Sequence, residues 1–134
     1  MSNQLSWRRR APWLLLPALC WAGVALTAPD AIDSDLMQAL EDHNTELASN
    51  LAQADAKAAD TNAAEMLKLL QQVQAFYTAR GDAPDAVAVS AQGLQLAARI
   101  RQQVATRQFE AAAGTATDLS RSCKSCHNVY KKPR

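Results

Sequence analysis

Four stretches of apolar residues, spaced alternately by three and four, run in succession from Ala31 to Tyr130, and that period restricts the chain to helices packed side by side. The first spans Ala31 to Leu51, with Met37, Leu40, Asn44, Leu47 and Leu51 on one seam and Ile32, Leu36 and Ala39 widening it. The second, capped by Asp60 or Thr61, carries Ala63, Met66, Leu70, Val73 and Tyr77, has Leu67 and Phe76 alongside, and stops at Gly81. After the break Gly81-Asp82-Ala83-Pro84, a third starts near Pro84, where a missing amide donor costs nothing. It buries Val87, Ala91, Leu94, Ala97 or Ala98, Ile100 and Val104, and a short turn follows at Thr106 and Arg107. In the fourth the seam is Phe109, Ala112, Ala116, Leu119, Cys123, Cys126 and Tyr130, with Gly114 read as a close helix contact. Ala, Leu, Gln and Glu dominate and Gly and Pro are nearly confined to junctions, so the class is all-α. Short links imply an antiparallel four-helix bundle.

The fourth seam ends in chemistry. Cys123-Lys124-Ser125-Cys126-His127 spells C-x-x-C-H, the peptide to which a c-type haem is joined covalently. Two thiols three residues apart can each add to one haem vinyl group while the adjacent imidazole becomes an axial iron ligand. A redox dithiol belongs at a helix N-terminus after a strand, and no strand-like run precedes this one. A closed zinc site wants four ligands, and the other candidates are Cys20 and the distant His43. One covalent haem c near the C-terminus is therefore the expected cofactor, and it would supply much of a small domain's core.

The N-terminus has a different composition. Arg8, Arg9 and Arg10 precede an apolar stretch from Ala11 to Leu26 that is interrupted by Pro12 and Pro17, the layout of an export signal. That stretch is shorter than the ~20 residues a spanning helix needs, so no stable membrane span is expected after processing. Residues 1–28 are read as the signal peptide, with cleavage between Ala25 and Ala31, and 29–134 as the mature domain. Cys20 follows Leu19, a bulky neighbour that argues against lipid attachment, and goes with the signal. Export to the periplasm agrees with the motif, because c-type haem is attached outside the bacterial cytoplasm, where a free dithiol would oxidise.

Losing the three arginines turns 14 basic against 13 acidic residues into a slight acidic excess. No basic stripe interleaved with aromatics is present, so nucleic acid is not an expected partner. Arg121, Lys124, Lys131, Lys132 and Arg134 cluster around the motif. They offset a helix C-terminal dipole, or form a docking rim that steers a haem edge toward an acidic redox protein. Asp33, Asp35, Glu41 and Asp42 fall near the start of the first helix, where capping and dipole effects explain them. Neither an activated serine nor a Gly-rich phosphate loop is present, so an independent enzyme is not expected.

With these features the chain resembles the class II cytochromes c, which include cytochrome c′ and its low-spin relatives, over essentially all of the mature domain. The specific part is Cys123-Lys124-Ser125-Cys126-His127-Asn128-Val129-Tyr130-Lys131, similar to the family's C-x-x-C-H-x-x-Y-K/R ending. The resemblance implies Cys123 and Cys126 as haem attachment points, His127 as proximal iron ligand and Lys131 beside the proximal face. It implies a distal residue on the first helix, which a gapless placement puts at Met37. Cytochrome c′ has an apolar residue there and an open iron; its low-spin relatives have a methionine that closes it. A thioether is a soft neutral donor, and His/Met ligation raises the haem potential. Leu36, Met66 and His43 stand as alternatives to Met37, although His43 lies about 9 Å further along the helix. Where cytochrome c′ often has an arginine one turn before the distal residue, this chain has Asp33. The implied function is a periplasmic single-electron carrier between larger redox proteins, acting as a monomer or a homodimer. The alternative is a five-coordinate binder of nitric oxide or carbon monoxide.

Overall fold

The computed structural model describes residues 31–130; the export segment expected at 1–28 and the terminal Lys131, Lys132 and Arg134 lie outside the described residues. Four helices follow one another: α1 (Ser34–Ala52), α2 (Ala56–Arg80), α3 (Pro84–Ala105) and α4 (Phe109–Tyr130). No strand occurs among the described residues. Each helix packs on its neighbours in the chain, and α1 closes the bundle against α4 along its loosest side. None of the described helices is long and apolar enough to cross a membrane.

Local chemistry sets the helix ends. The Asp33 carboxylate accepts the Leu36 N–H at 2.8 Å, so α1 begins at Ser34 and not at Ala31. In the same way Asp55 accepts the Ala58 N–H at 3.0 Å and starts α2 at Ala56, ahead of the expected caps Asp60 and Thr61. Ala56-Lys57-Ala58-Ala59 are strong helix formers, so nothing delays the helix once Asp55 has capped it. Asp60 reaches across to Arg101 on α3 at 2.7 Å instead, and the Thr61 hydroxyl donates back to the Lys57 carbonyl. At the other end of α2, Gly81 has φ +74° and its N–H bonds the Tyr77 carbonyl at 3.2 Å, a left-handed cap that favours glycine. Pro84 opens α3, and the chain turns at Thr106 and Arg107 as the sequence predicts.

The core is aliphatic. Leu40, Leu47 and Leu51 come from α1, Ala63, Met66, Leu70, Val73 and Tyr77 from α2, Ala97, Ile100 and Val104 from α3, and Ala112, Ala116 and Leu119 from α4. The first half of α3 is rotated from the expected seam: Ala86, Ser90 and Gly93 are innermost, Val87, Ala91 and Leu94 flank them, and Ala98 is exposed. Small residues win the inner line because α3 is wedged between two neighbours. A Cβ on Gly93 would lie 3.4 Å from both Leu70 methyls and 3.6 Å from Leu119 Cδ1. Gly93 is thus the close-contact glycine, whereas Gly114 is exposed with nothing within 4 Å of a Cβ built on it.

Candidate haem attachment site

The motif is helical throughout, in the last two turns of α4. Cys123 and Cys126, at i and i+3, share a face and are both half-buried, and Cys126 packs against the core. The innermost position beside them belongs to Ser122, whose hydroxyl donates to the Leu119 carbonyl at 2.7 Å. The core line therefore passes next to Cys123 and not through it, a modest rotation from the expected seam. His127 stands about 100° round the helix from Cys126 and is exposed.

Burial pushes the Cys123 thiol up, and burial first, then the neighbouring Cys123 and Asp85, pushes Cys126 up. Both effects oppose thiolate formation, and so does the negative end of the α4 dipole. A reactive dithiol needs the reverse. Among the described residues no three His, Cys, Asp or Glu side chains gather where they could share one metal ion. A closed zinc site needs converging donors. Cys123 has Cys126 at i+3 on one side of it and His127 at i+4 on the other, so all three side chains project from one broad face of α4.

The candidate distal residues differ sharply in surroundings. Met66 is 1% exposed, enclosed in the core. His43 lies 3.1 Å through Nδ1 from the Asn62 side-chain nitrogen and is occupied there. Leu36 and Met37 are half-buried side by side near the start of α1, packed on the core with one side uncovered. Of the two methionines among the described residues, Met37 is half-buried and Met66 enclosed.

Residues that the apolar pattern did not single out brace this end of the bundle. The Tyr130 hydroxyl donates a hydrogen bond to Asp85 in the first turn of α3. That bond pushes Tyr130 up to about 12 and holds Asp85 below the usual carboxylate range. The Tyr130 ring lies 5.2 Å from the Tyr77 ring, Tyr77 meets Phe76 edge-on at 5.1 Å, and the Arg80 guanidinium sits 5.5 Å over Tyr77. Tyr130 was legible as a seam residue; its acceptor Asp85, 45 positions away, carried no local signal beyond a favourable place at a helix start. Of the basic rim, Arg121 and Lys124 are exposed, and Arg121 is bonded to Asp118 at 2.8 Å, which offsets part of its charge. A surface hollow of about 750 Å³ lies away from the motif between α2 and α3, bordered by Lys57, Asp60, Arg101 and Arg107.

Compared with protein-family models, with characterised proteins and with solved structures, the chain matches none, so its assignment rests on its own residues.

Proposed function

We propose that this chain is an exported c-type cytochrome of the class II kind, an antiparallel four-helix bundle that carries single electrons between larger redox proteins. The observation that carries the reading is Cys123-x-x-Cys126-His127 on the last turns of a bundle helix, thiols half-buried and imidazole exposed. Side-chain pairs support opposite helix directions. Asp60 with Arg101 and Leu70 with Gly93 run in opposing chain order on α2 and α3, as do Asp85 with Tyr130 and Gly93 with Leu119 on α3 and α4.

A level for the distal residue follows from one contact. Ser120 on α4 donates to the Asn44 side chain on α1 at 3.1 Å. Met37 is seven residues before Asn44 and His127 seven residues after Ser120, so in opposed helices both stand about 10 Å from that contact, toward the same end. Cys123 and Cys126 would hold a haem through thioether bonds, His127 would be its proximal iron ligand and Met37 the distal one. When bound, haem supplies a reversible one-electron couple whose potential the axial ligands and burial set. The chain's own part is to keep both ligands on rigid helices, exclude water with Ile32, Leu36 and the Tyr77–Tyr130 pair, and leave an edge near Lys124 and Arg121 for an acidic partner. The signal, the periplasmic destination and the terminal lysines belong to this proposal.

The test is the optical spectrum of the ferrous protein, matured with covalent haem, before and after carbon monoxide. A low-spin spectrum indifferent to carbon monoxide supports the carrier. A high-spin spectrum that shifts refutes Met37 ligation and leaves the five-coordinate gas binder. Absence of haem stain on a denatured gel refutes covalent attachment altogether.

A further inference from the structure

Helix α1 is held by a sparse apolar seam and by polar groups that bond it to its neighbours. Only Leu40, Leu47 and Leu51 of α1 are buried, and a slide of one helical turn in one direction keeps leucine at two of those three places, Leu36 and Leu47, with His43 at the third, so the apolar seam opposes it at a single site. Against α2 one polar side chain opposes the slide through several hydrogen bonds. Asn62 is 4% exposed and meets three α1 residues in successive turns: its amide nitrogen donates to Glu46 Oε2 at 2.8 Å and faces His43 Nδ1 at 3.1 Å, and its oxygen accepts from the Asn50 amide at 2.7 Å. The orientation is determined, since a carboxylate only accepts and Asn62 must present its nitrogen to Glu46. His43 therefore accepts at Nδ1 and carries its hydrogen on Nε2.

A one-turn slide dismantles the arrangement either way. It would bring Ala39 or Leu47 to the place of His43, and Glu46 or Ala54 to the place where Asn50 donates. Asn62, still buried, would lose its partners or face a second acceptor. The Ser120–Asn44 bond sets the same register against α4.

We infer that Asn62 is a positioning residue: its clasp on His43, Glu46 and Asn50 selects the register of α1 and so decides that Met37, and not the Asp33 or Glu41 that a one-turn slide would bring to its place, is offered at the motif end of the bundle. This rests on the proposed distal role of Met37. A buried asparagine that specifies helix register at some cost in stability is the best attested use of such a group.

The experiment compares ¹⁵N-labelled holoprotein with Asn62→Leu, reading the amide resonances of α1 and carbon monoxide uptake by the ferrous form. Losing two or three part-buried hydrogen bonds changes a register population roughly tenfold. A folded Asn62→Leu protein should therefore show a second set of α1 resonances and a carbon monoxide-reactive fraction absent from the parent. One wild-type set of α1 resonances with an unchanged spectrum, even with a lowered melting temperature, overturns the clasp. Carbon monoxide uptake by the parent refutes Met37 ligation instead, and the α1 resonances then test the register alone. If Asn62→Leu does not fold, Asn50→Ala, at the edge of the clasp, is measured in the same two ways: a second set of α1 resonances supports the clasp, and a single wild-type set overturns it.

Discussion

If Met37 has the distal role proposed for it, the two methionines of the bundle allow packing and ligation to be separated. Met66 is 1% exposed in the core, whereas Met37 is half-buried near the start of α1. Truncating a fully enclosed methionine to alanine removes its transfer free energy and leaves a cavity, about 2–5 kcal/mol. For Met37, with half the burial and a margin that can relax, the packing loss is about 1–2 kcal/mol. A domain of this size loses roughly 4–8 °C of melting temperature per kcal/mol, so Met66→Ala should fall by at least ~10 °C and Met37→Ala by about half as much. The spectra should reverse that order. Met37→Ala should turn the ferrous haem high-spin and open it to carbon monoxide, whereas Met66→Ala, while folded, should keep the parent spectrum. Thermal melts followed by circular dichroism and carbon monoxide titration of both variants make the comparison. A Met66→Ala protein that binds carbon monoxide beside a Met37→Ala protein that does not would refute the reasoning and transfer the ligand role to Met66.

Other outcomes follow from particular contacts. Tyr130 is raised to about 12 by its bond to Asp85, so that stabilisation is complete below the unfolded tyrosine value near 10 and disappears as pH rises toward 12. Asp85 is lowered, so its share is present above the unfolded carboxylate value of about 4 and disappears as pH falls through the depressed one. Tyr130→Phe should flatten both limbs of melting temperature against pH, and an unchanged profile would deny the bond a role. Gly114→Ala, in an exposed helix interior with open space for the methyl, should add about 1 kcal/mol by urea denaturation; a loss would mean that something covers that face. Gly93→Val, by contrast, drives methyls into Leu70 and Leu119 and should cost about 1–3 kcal/mol. Asp55→Ala should cost about 1 kcal/mol in the same assay through loss of the α2 cap; no change would show that α2 does not depend on it.

Most helix ends were legible because their causes are local. Gly81 needs a left-handed backbone, Pro84 lacks a donor, and both mark their junction within a few residues. The start of α2 was misplaced because Asp55 and Asp60 are equally good caps in isolation; what separates them is that Arg101, 41 residues away, takes Asp60. The two glycines in helix interiors were indistinguishable in the same way. Gly93 and Gly114 carry the same propensity penalty, and only the Leu70 and Leu119 side chains make one of them a contact.

The division between chain and fold has a physical basis. Period and capping are properties of neighbours along the chain, so the sequence by itself determined four amphipathic helices, their order, and a C-x-x-C-H at the end of the last. Rotation and register are properties of pairs of helices, because several faces of an alanine-rich helix are nearly equal in apolar content and the outcome depends on what the partner presents. Only the tertiary structure decided that Ala86, Ser90 and Gly93 face inward on α3 and that Ser122 and not Cys123 is innermost on α4. The same holds for Tyr130 reaching Asp85 and for the buried Asn62, which finds on α1 the three partners that one turn's displacement would take away.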